Sequence, residues 1–261
     1  MTKVTSKDGT QIAYTLSGNG PAVILVDGAM CSRAFGPMPK LATLLASHFT
    51  VINYDRRGRN ESGNTEPYSV DREIEDIEAL IYEAGGSAYL AGCSSGAALA
   101  LKAAAASPNI KKLALYEAPY LSGQGGHVPP KDTLEQLKRL VAAGKKSGAV
   151  KYFIHDMVGM PAFVTFIMPL MPAWGKLKSV AHTLPYDAAI MGDFKIPVQV
   201  ANSVKIQSLV MAGGKSPASM QNTEKKLAEA IPGAQYHIIE GQTHNISEKA
   251  LAPELIKFFK S

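Results

Sequence analysis

The stretch Ser87-Ala-Tyr-Leu-Ala-Gly-Cys-Ser-Ser-Gly-Ala-Ala-Leu-Ala100 constrains the fold more than any other part of the chain. An apolar run narrows to Gly92-Cys-Ser-Ser-Gly96 and then continues as an Ala/Leu-rich helix former. That order predicts a strand, a tight turn and a helix, with Ser94 at the centre of a G-x-S-x-G pattern. Glycines two residues to either side let the backbone pass through a strained turn. Ser94 is then exposed at the carboxyl end of a strand, beside the amino terminus of a helix. The pentapeptide alone is common in Gly/Ser-rich loops; the strand before it and the helix after it give it meaning.

The rest of the chain repeats the alternation. Asp8-Gly9 between Val4-Thr5 and Gln11 to Leu16 signals a hairpin. Ala22-Val-Ile-Leu-Val26 is the continuous β-branched run of a strand buried on both faces. Strands are also predicted over Phe49 to Tyr54, Lys112 to Tyr116, Ile206 to Met211 and Gln235 to Ile239, with helices over Lys40 to Ser47, Tyr68 to Ala84 and Met220 to Ile231 and a last helix to Phe259. Strands alternating with helices imply an α/β fold with a mostly parallel central sheet flanked by helices. Between residues 121 and 200 the pattern is glycine-rich, proline-punctuated and helical. The expected organisation is therefore a core over 1–120 and 201–261, with a helical cap over 121–200 inserted after the sixth strand.

Composition removes several classes. The 261 residues are 46% hydrophobic, enough for one domain with a large core. The net charge of +5 is spread over isolated pairs such as Lys111-Lys112 and Lys225-Lys226, with no basic stripe interleaved with aromatics, so no nucleic-acid partner is expected. Cys31 and Cys93 are too few for a disulfide framework, which suits a reduced, cytoplasmic setting. No apolar leader opens the sequence, and the segment from Met157 to Trp174 is broken by Gly159, Pro161, Pro169 and Pro172, so it reads as a lid and no membrane association is expected. No His/Cys/carboxylate cluster has metal-ligand spacing, and neither metal nor organic cofactor is expected.

With Gly92-Cys-Ser-Ser-Gly96 as a nucleophile elbow, the chain resembles the α/β-hydrolase family. Tyr54-Asp-Arg-Arg-Gly-Arg-Asn-Glu-Ser-Gly63 is similar to that family's Y-D-x-R-G-x-G-x-S loop, with Asn60 in place of a usual glycine. The resemblance implies Ser94 as nucleophile and His244, in the Gly-Gln-Thr-His loop after the last strand, as its base. The family's usual acid follows the strand after the cap, but that loop reads Gly213-Gly-Lys-Ser-Pro217 and no aspartate occurs after Asp193. Glu117, at the end of the strand after the elbow helix, is the favoured replacement, with Glu240 and Glu224 as fallbacks. Asp27-Gly28, the elbow and a strand-end Glu117 together are similar to the zearalenone-type lactone hydrolases.

Acyl transfer needs N–H donors for an oxyanion. Ser95 is one candidate, and Gly28 or Ala29, in the loop after the first buried strand, is the second. Asp27 stands where the family usually has histidine. Trp174, Met30 and Asp27 are candidate substrate contacts. The expected function is a serine hydrolase acting on a small apolar carboxylic ester or lactone through an acyl-enzyme on Ser94. The alternatives are a non-hydrolytic ligand-binding member of the fold and a cofactor-free perhydrolase or haloperoxidase-like enzyme. An elbow serine disfavours haloalkane dehalogenases and epoxide hydrolases, which carry aspartate there.

Overall fold

The computed structural model describes residues 2–121 and 126–261; residues 122–125, inside the expected insertion, lie outside the described residues. Eight strands form one sheet: β1 Thr2–Thr5, β2 Gln11–Ser17, β3 Ala22–Val26, β4 Thr50–Tyr54, β5 Ala88–Cys93, β6 Ile110–Tyr116, β7 Gln207–Gly213 and β8 Gln235–Ile239. Their spatial order is β1-β2-β4-β3-β5-β6-β7-β8. The amino-terminal hairpin is antiparallel and β2 joins β4 antiparallel, while the remaining pairs, from β4-β3 across to β7-β8, are parallel.

Side chains alternate across the sheet with the two-residue period of a strand. Ile24, Val26, Leu90, Leu113, Leu115 and Val210 face one hydrophobic core. Val23, Leu25, Ala91, Ala114, Leu209 and Met211 face the other. The first core is closed by helices Val70–Glu83, Ser95–Ala106 and Ala218–Ala230, the second by Met38–Leu45 and Glu248–Lys260. All five residues of β3 are buried, as a strand covered on both faces requires.

The chain leaves β3 toward β4 on one side and returns to β5 on the other, so the direction of winding reverses at β3. A crevice at the carboxyl ends of strands opens at such a point. The loop after β3 and the turn after β5 therefore meet there, bringing Gly28 against Ser94.

The stretch between β6 and β7 contains helices Thr133–Ala142, Lys146–Tyr152, Ala162–Ile167, Trp174–Ser179, Leu184–Met191 and Val198–Ser203. Among the described residues it adds no strand to the sheet, only an isolated bridge between Leu121 and Lys195 that ties its two ends together. No described helix is long and apolar enough to cross a membrane. The apolar residues of 157–174 divide: Met157, Met168 and Trp174 are buried in the core, whereas Phe163, Phe166 and Leu170 are exposed.

Candidate active site

Ser94 sits between β5 and helix Ser95–Ala106 with φ 56° and ψ −132°. That is costly backbone for a residue with a Cβ. Sequence reasoning assigns the strain of this turn to its glycines, but the structure places it on the serine itself. The glycines permit close approach instead. A Cβ at Gly92 would collide with the Gly96 carbonyl oxygen, and one at Gly96 with the Val26 carbonyl oxygen. Helix and strand thus press together and force the serine outward. The Ser94 amide is held by the Tyr116 carbonyl at 2.9 Å, which fixes the turn to β6.

His244 comes from the loop after β8. Its Nε2 lies 3.2 Å from Ser94 Oγ and its Nδ1 lies 2.8 Å from Glu117 Oε2. The imidazole is 43% exposed, while the Glu117 side chain is fully buried. Solvent therefore reaches the imidazole but not the carboxylate behind it. Glu117 follows β6 directly with φ 44°, a second non-glycine residue in the left-handed region. Its other oxygen accepts the Gly213 amide at 2.7 Å. Burial pushes this carboxyl up, but His244, the neighbouring Ser216 hydroxyl and the Gly213 amide outweigh burial and hold it below its usual value.

The histidine loop lies across the glycines that end β7. Residues 242–244 pass directly over the end of that strand. A Cβ at Gly213 would meet the Gln242 carbonyl oxygen at 2.5 Å and the Tyr116 hydroxyl at 2.8 Å. The loop is fastened there by Lys215 N–H to the Gln242 carbonyl at 2.7 Å and by the Tyr116 hydroxyl to the Thr243 carbonyl at 2.6 Å. Gly213-Gly214 thus lets the histidine loop cross β7 and reach the carboxylate on β6. Of the fallback acids, Glu240 is exposed and lies against Gly214. Glu224 is fully buried in helix Ala218–Ala230, with neither carboxyl oxygen hydrogen-bonded.

Gly28 packs on Ser94: a Cβ there would be 3.0 Å from Ser94 Cβ and 3.6 Å from its Oγ. The Gly28 amide already donates to Asp27 Oδ1 at 3.1 Å. The Ser95 amide belongs to a first helical turn, whose N–H groups have no intrahelical acceptor, and the helix dipole adds positive potential there. Asp27 is itself buried, with Oδ2 unpartnered. Burial raises its carboxyl to about 7 against the opposing pull of Arg59, the Gly28 amide and Cys31.

The candidate substrate contacts separate. Met30, partly buried beside this loop, adopts φ 60°. Trp174 is 8% exposed and packs among the core side chains. Four other histidines are placed elsewhere: His48 against Lys260, His127 on the Asp156 carbonyl, His155 on the Met160 carbonyl and His237 near Glu254. Cys93 is buried with its thiol pushed far up by burial.

A buried ionic cluster behind the loop after β3 has no counterpart in the sequence reading. Arg56 forms a bidentate pair with Glu73, at 2.7 Å on both arms, and its third nitrogen reaches Asp187 Oδ1 at 2.7 Å. Arg59 Nη2 lies 3.0 and 2.9 Å from the two Asp187 oxygens. The Asn60 that replaces a usual glycine adopts φ 44°, a conformation asparagine tolerates, and its amide donates to Asp55 at 3.0 Å.

The alpha/beta hydrolase family profile matches residues 17–253. The chain belongs to the alpha/beta hydrolase family. This alpha/beta hydrolase is similar over 99% of its length to the whole of an alpha/beta hydrolase from Sphaerobacter thermophilus DSM 20745, with 48% identity and a TM-score of 0.93. It shares its fold with the enol-lactonase from Burkholderia xenovorans LB400, at 20% identity, TM-score 0.74 and full coverage of both chains. An uncharacterized hydrolase of Bacillus subtilis (strain 168), YraK, is 34% identical over 97 residues, which is 36% of this chain and 35% of that protein. The chain thus spans about a third of the length of that curated relative.

Within this alpha/beta hydrolase, Asp187 is the functional-site neighbour that sequence reasoning misses. Its partners are 92, 128 and 131 residues away, beyond any local pattern. The available signal lies in Arg56 and Arg59: arginines directly after a buried strand need buried carboxylates.

Proposed function

We propose that this alpha/beta hydrolase is a serine hydrolase for small, apolar carboxylic esters or lactones, with Ser94 as nucleophile, His244 as base and Glu117 as the acid that orients the base. The observation that carries this reading is the continuous hydrogen-bond chain Ser94 Oγ, His244 Nε2, His244 Nδ1, Glu117 Oε2, drawn from three strand ends. A serine hydroxyl needs such a base to become nucleophilic, and the imidazolium that forms needs a carboxylate partner.

The reaction runs in two halves. Ser94 Oγ attacks the carbonyl carbon as His244 Nε2 takes its proton, and the carbonyl π electrons move to oxygen. The oxyanion is held by the N–H groups of Ser95 and Ala29; Gly28 contributes less, since its amide serves Asp27. Collapse expels the alkoxide, which takes the proton from His244. Water then attacks the acyl-enzyme with His244 again as base, giving the carboxylic acid and free Ser94. For a lactone the expelled alkoxide stays attached to the acyl group.

In this reading residues 121–200 act as a cap, and its exposed Phe163 and Phe166 suit an apolar substrate. The chain works in the cytoplasm as a soluble enzyme. Hydrolysis of short p-nitrophenyl esters and of simple lactones tests the proposal, together with fluorophosphonate labelling. Wild type is expected to turn over and to be labelled at Ser94, and Ser94→Ala to lose activity by about 10⁴-fold or more. An inert wild type that escapes the probe supports a ligand-binding member of the fold instead.

A further inference from the structure

We propose that Asp187, from the helical stretch between β6 and β7, is a positioning residue that sets both oxyanion donors of the Ser94 site. The inference rests on the serine-hydrolase reading above. One carboxylate, fully buried, accepts four hydrogen bonds: the Ser95 hydroxyl at 2.8 Å, Arg56 at 2.7 Å, and Arg59 on both oxygens at 3.0 and 2.9 Å. Each donor leads to a part of the oxyanion machinery.

Ser95 is the direct arm. Its backbone N–H is the donor beside the nucleophile, and its side chain has been turned inward onto Asp187 rather than toward solvent. The residue can no longer rotate without breaking a buried charge-assisted bond. Arg59 is the indirect arm. Having two bonds to Asp187, it extends its other terminal nitrogen to the Gly28 carbonyl at 2.5 Å and to the Cys31 carbonyl at 3.3 Å. In a trans peptide the C=O and N–H point in opposite directions. Holding the Gly28 carbonyl on Arg59 therefore aims the Ala29 N–H away from the arginine. Arg56 adds a contact to the Asp27 carbonyl at 3.3 Å, fixing the peptide before.

The charges in this cluster balance. Arg56 and Arg59 face Glu73 and Asp187, and all four side chains are at most about 2% exposed. A neutral, hydrogen-bonded cluster can persist away from water, whereas either arginine left with no carboxylate cannot. Glu73 is already engaged by Arg56 on both oxygens, so Asp187 is the carboxylate that Arg59 depends on. Asp187 lies on helix Leu184–Met191, which packs against helix Ser95–Ala106. The stretch between β6 and β7 thereby takes part in shaping the oxyanion site through one side chain.

The test uses the full chain and four variants: Ser95→Ala, Asp187→Asn, the paired Arg59→Met/Asp187→Asn, in which Arg56 keeps Glu73 and the buried charge stays balanced, and that pair combined with Ser95→Ala. Measured for each are Tm, kcat and KM on a p-nitrophenyl ester, and inhibition by a phenylboronic acid, whose tetrahedral adduct on Ser94 places an oxygen in the oxyanion site. Ser95→Ala is expected to lower kcat about 10-fold and the paired variant about 100-fold, with KM within about 2-fold. Boronate affinity should fall by the same factors. Ser95→Ala should cost less in the paired background than alone, because the two act through one carboxylate. The proposal is overturned if folded variants keep kcat and boronate affinity within about 2-fold of wild type. It is also overturned if KM rises while boronate affinity stays unchanged. Should the Asp187 variants fail to fold, Ser95→Ala alone decides by the same criteria. A wild type that neither turns over nor binds the boronate overturns the hydrolase reading itself, and this inference with it.

Discussion

Glu117 Oε2 lies 2.8 Å from His244 Nδ1, although the two residues leave the sheet from β6 and β8 with β7 between them. The second carboxylate oxygen is taken by the Gly213 amide at the end of β7, so the side chain cannot turn away from the histidine. A glutamine at this position would keep the acceptor for Gly213 and present an NH₂ group to Nδ1. The imidazole would then carry its proton on Nε2 and have no lone pair for the Ser94 hydroxyl. Glu117→Gln is expected to lower kcat about 10³- to 10⁴-fold with KM within a few-fold and Tm little changed. Steady-state kinetics on a p-nitrophenyl ester checks this. Turnover above a tenth of wild type would move the role of acid elsewhere.

Gly28 is confined by Ser94. Its added Cβ would approach Ser94 Cβ at 3.0 Å and the Cys93 carbonyl oxygen at 3.2 Å. Neither neighbour can yield, because Cys93 is paired in the sheet and Ser94 already has its backbone in a strained region. The loop after β3 would have to move, taking the Ala29 amide with it. Gly28→Ala is expected to cost about 1–3 kcal/mol of stability and to reduce kcat about 10- to 100-fold. Chemical denaturation and ester kinetics on the same preparation test both figures, and full activity would place the oxyanion donors elsewhere.

Much of the fold is legible because its signals are local. The reading of β3 matches the structure to the residue, since a continuous β-branched run has one meaning in a parallel sheet, and β8 likewise. Helix ends differ by about two residues where no strong cap marks them, as at Val70–Glu83, whose Ser69 makes no side-chain cap bond. Ser94, His244 and Glu117 follow from strand ends, and the structure links the three in one hydrogen-bond chain. Two things are not legible. The strain on Ser94 rather than on Gly92 or Gly96 depends on how closely helix and strand approach, which is a packing property. The Asp187 cluster depends on contacts about 130 residues apart. A lone tryptophan in an irregular stretch invites a recognition role; Trp174 is buried among the core side chains, a placement no local pattern announces.

Asp27 makes the stability of the protein depend on pH. Unfolded, its carboxyl ionises near 3.8; folded, burial delays ionisation to about 7. Between those values the folded chain retains a proton that the unfolded chain has lost. Stability therefore falls as pH rises from about 4 to about 7, and the penalty remains constant above that. An asparagine at this position would have no proton to lose while still accepting the Gly28 amide. Asp27→Asn is expected to match wild type near pH 4 and to exceed it at pH 8, by up to about 4 kcal/mol. Urea unfolding at several pH values measures the difference, and a constant offset across the range would exclude this origin.

Glu224 offers a comparison between a buried acid and Glu117, the acid of the proposed triad. It is fully buried on helix Ala218–Ala230, and neither carboxyl oxygen has a hydrogen-bond partner. Burial and the nearby charge of Glu117 both push its carboxyl well above the usual range. Surroundings that favour the protonated carboxyl make Glu224 a poor partner for an imidazolium, and His244 Nδ1 bonds to Glu117 instead. Glu224→Gln is nearly isosteric and is expected to keep kcat within about 3-fold, in contrast to Glu117→Gln. Its stability relative to wild type should grow with rising pH, because the folded state no longer has to hold a proton that the unfolded state releases. Ester kinetics at pH 7.5 and urea unfolding at pH 6 and 9 test the two halves. A loss of activity as deep as that of Glu117→Gln would assign the acid to Glu224 after all.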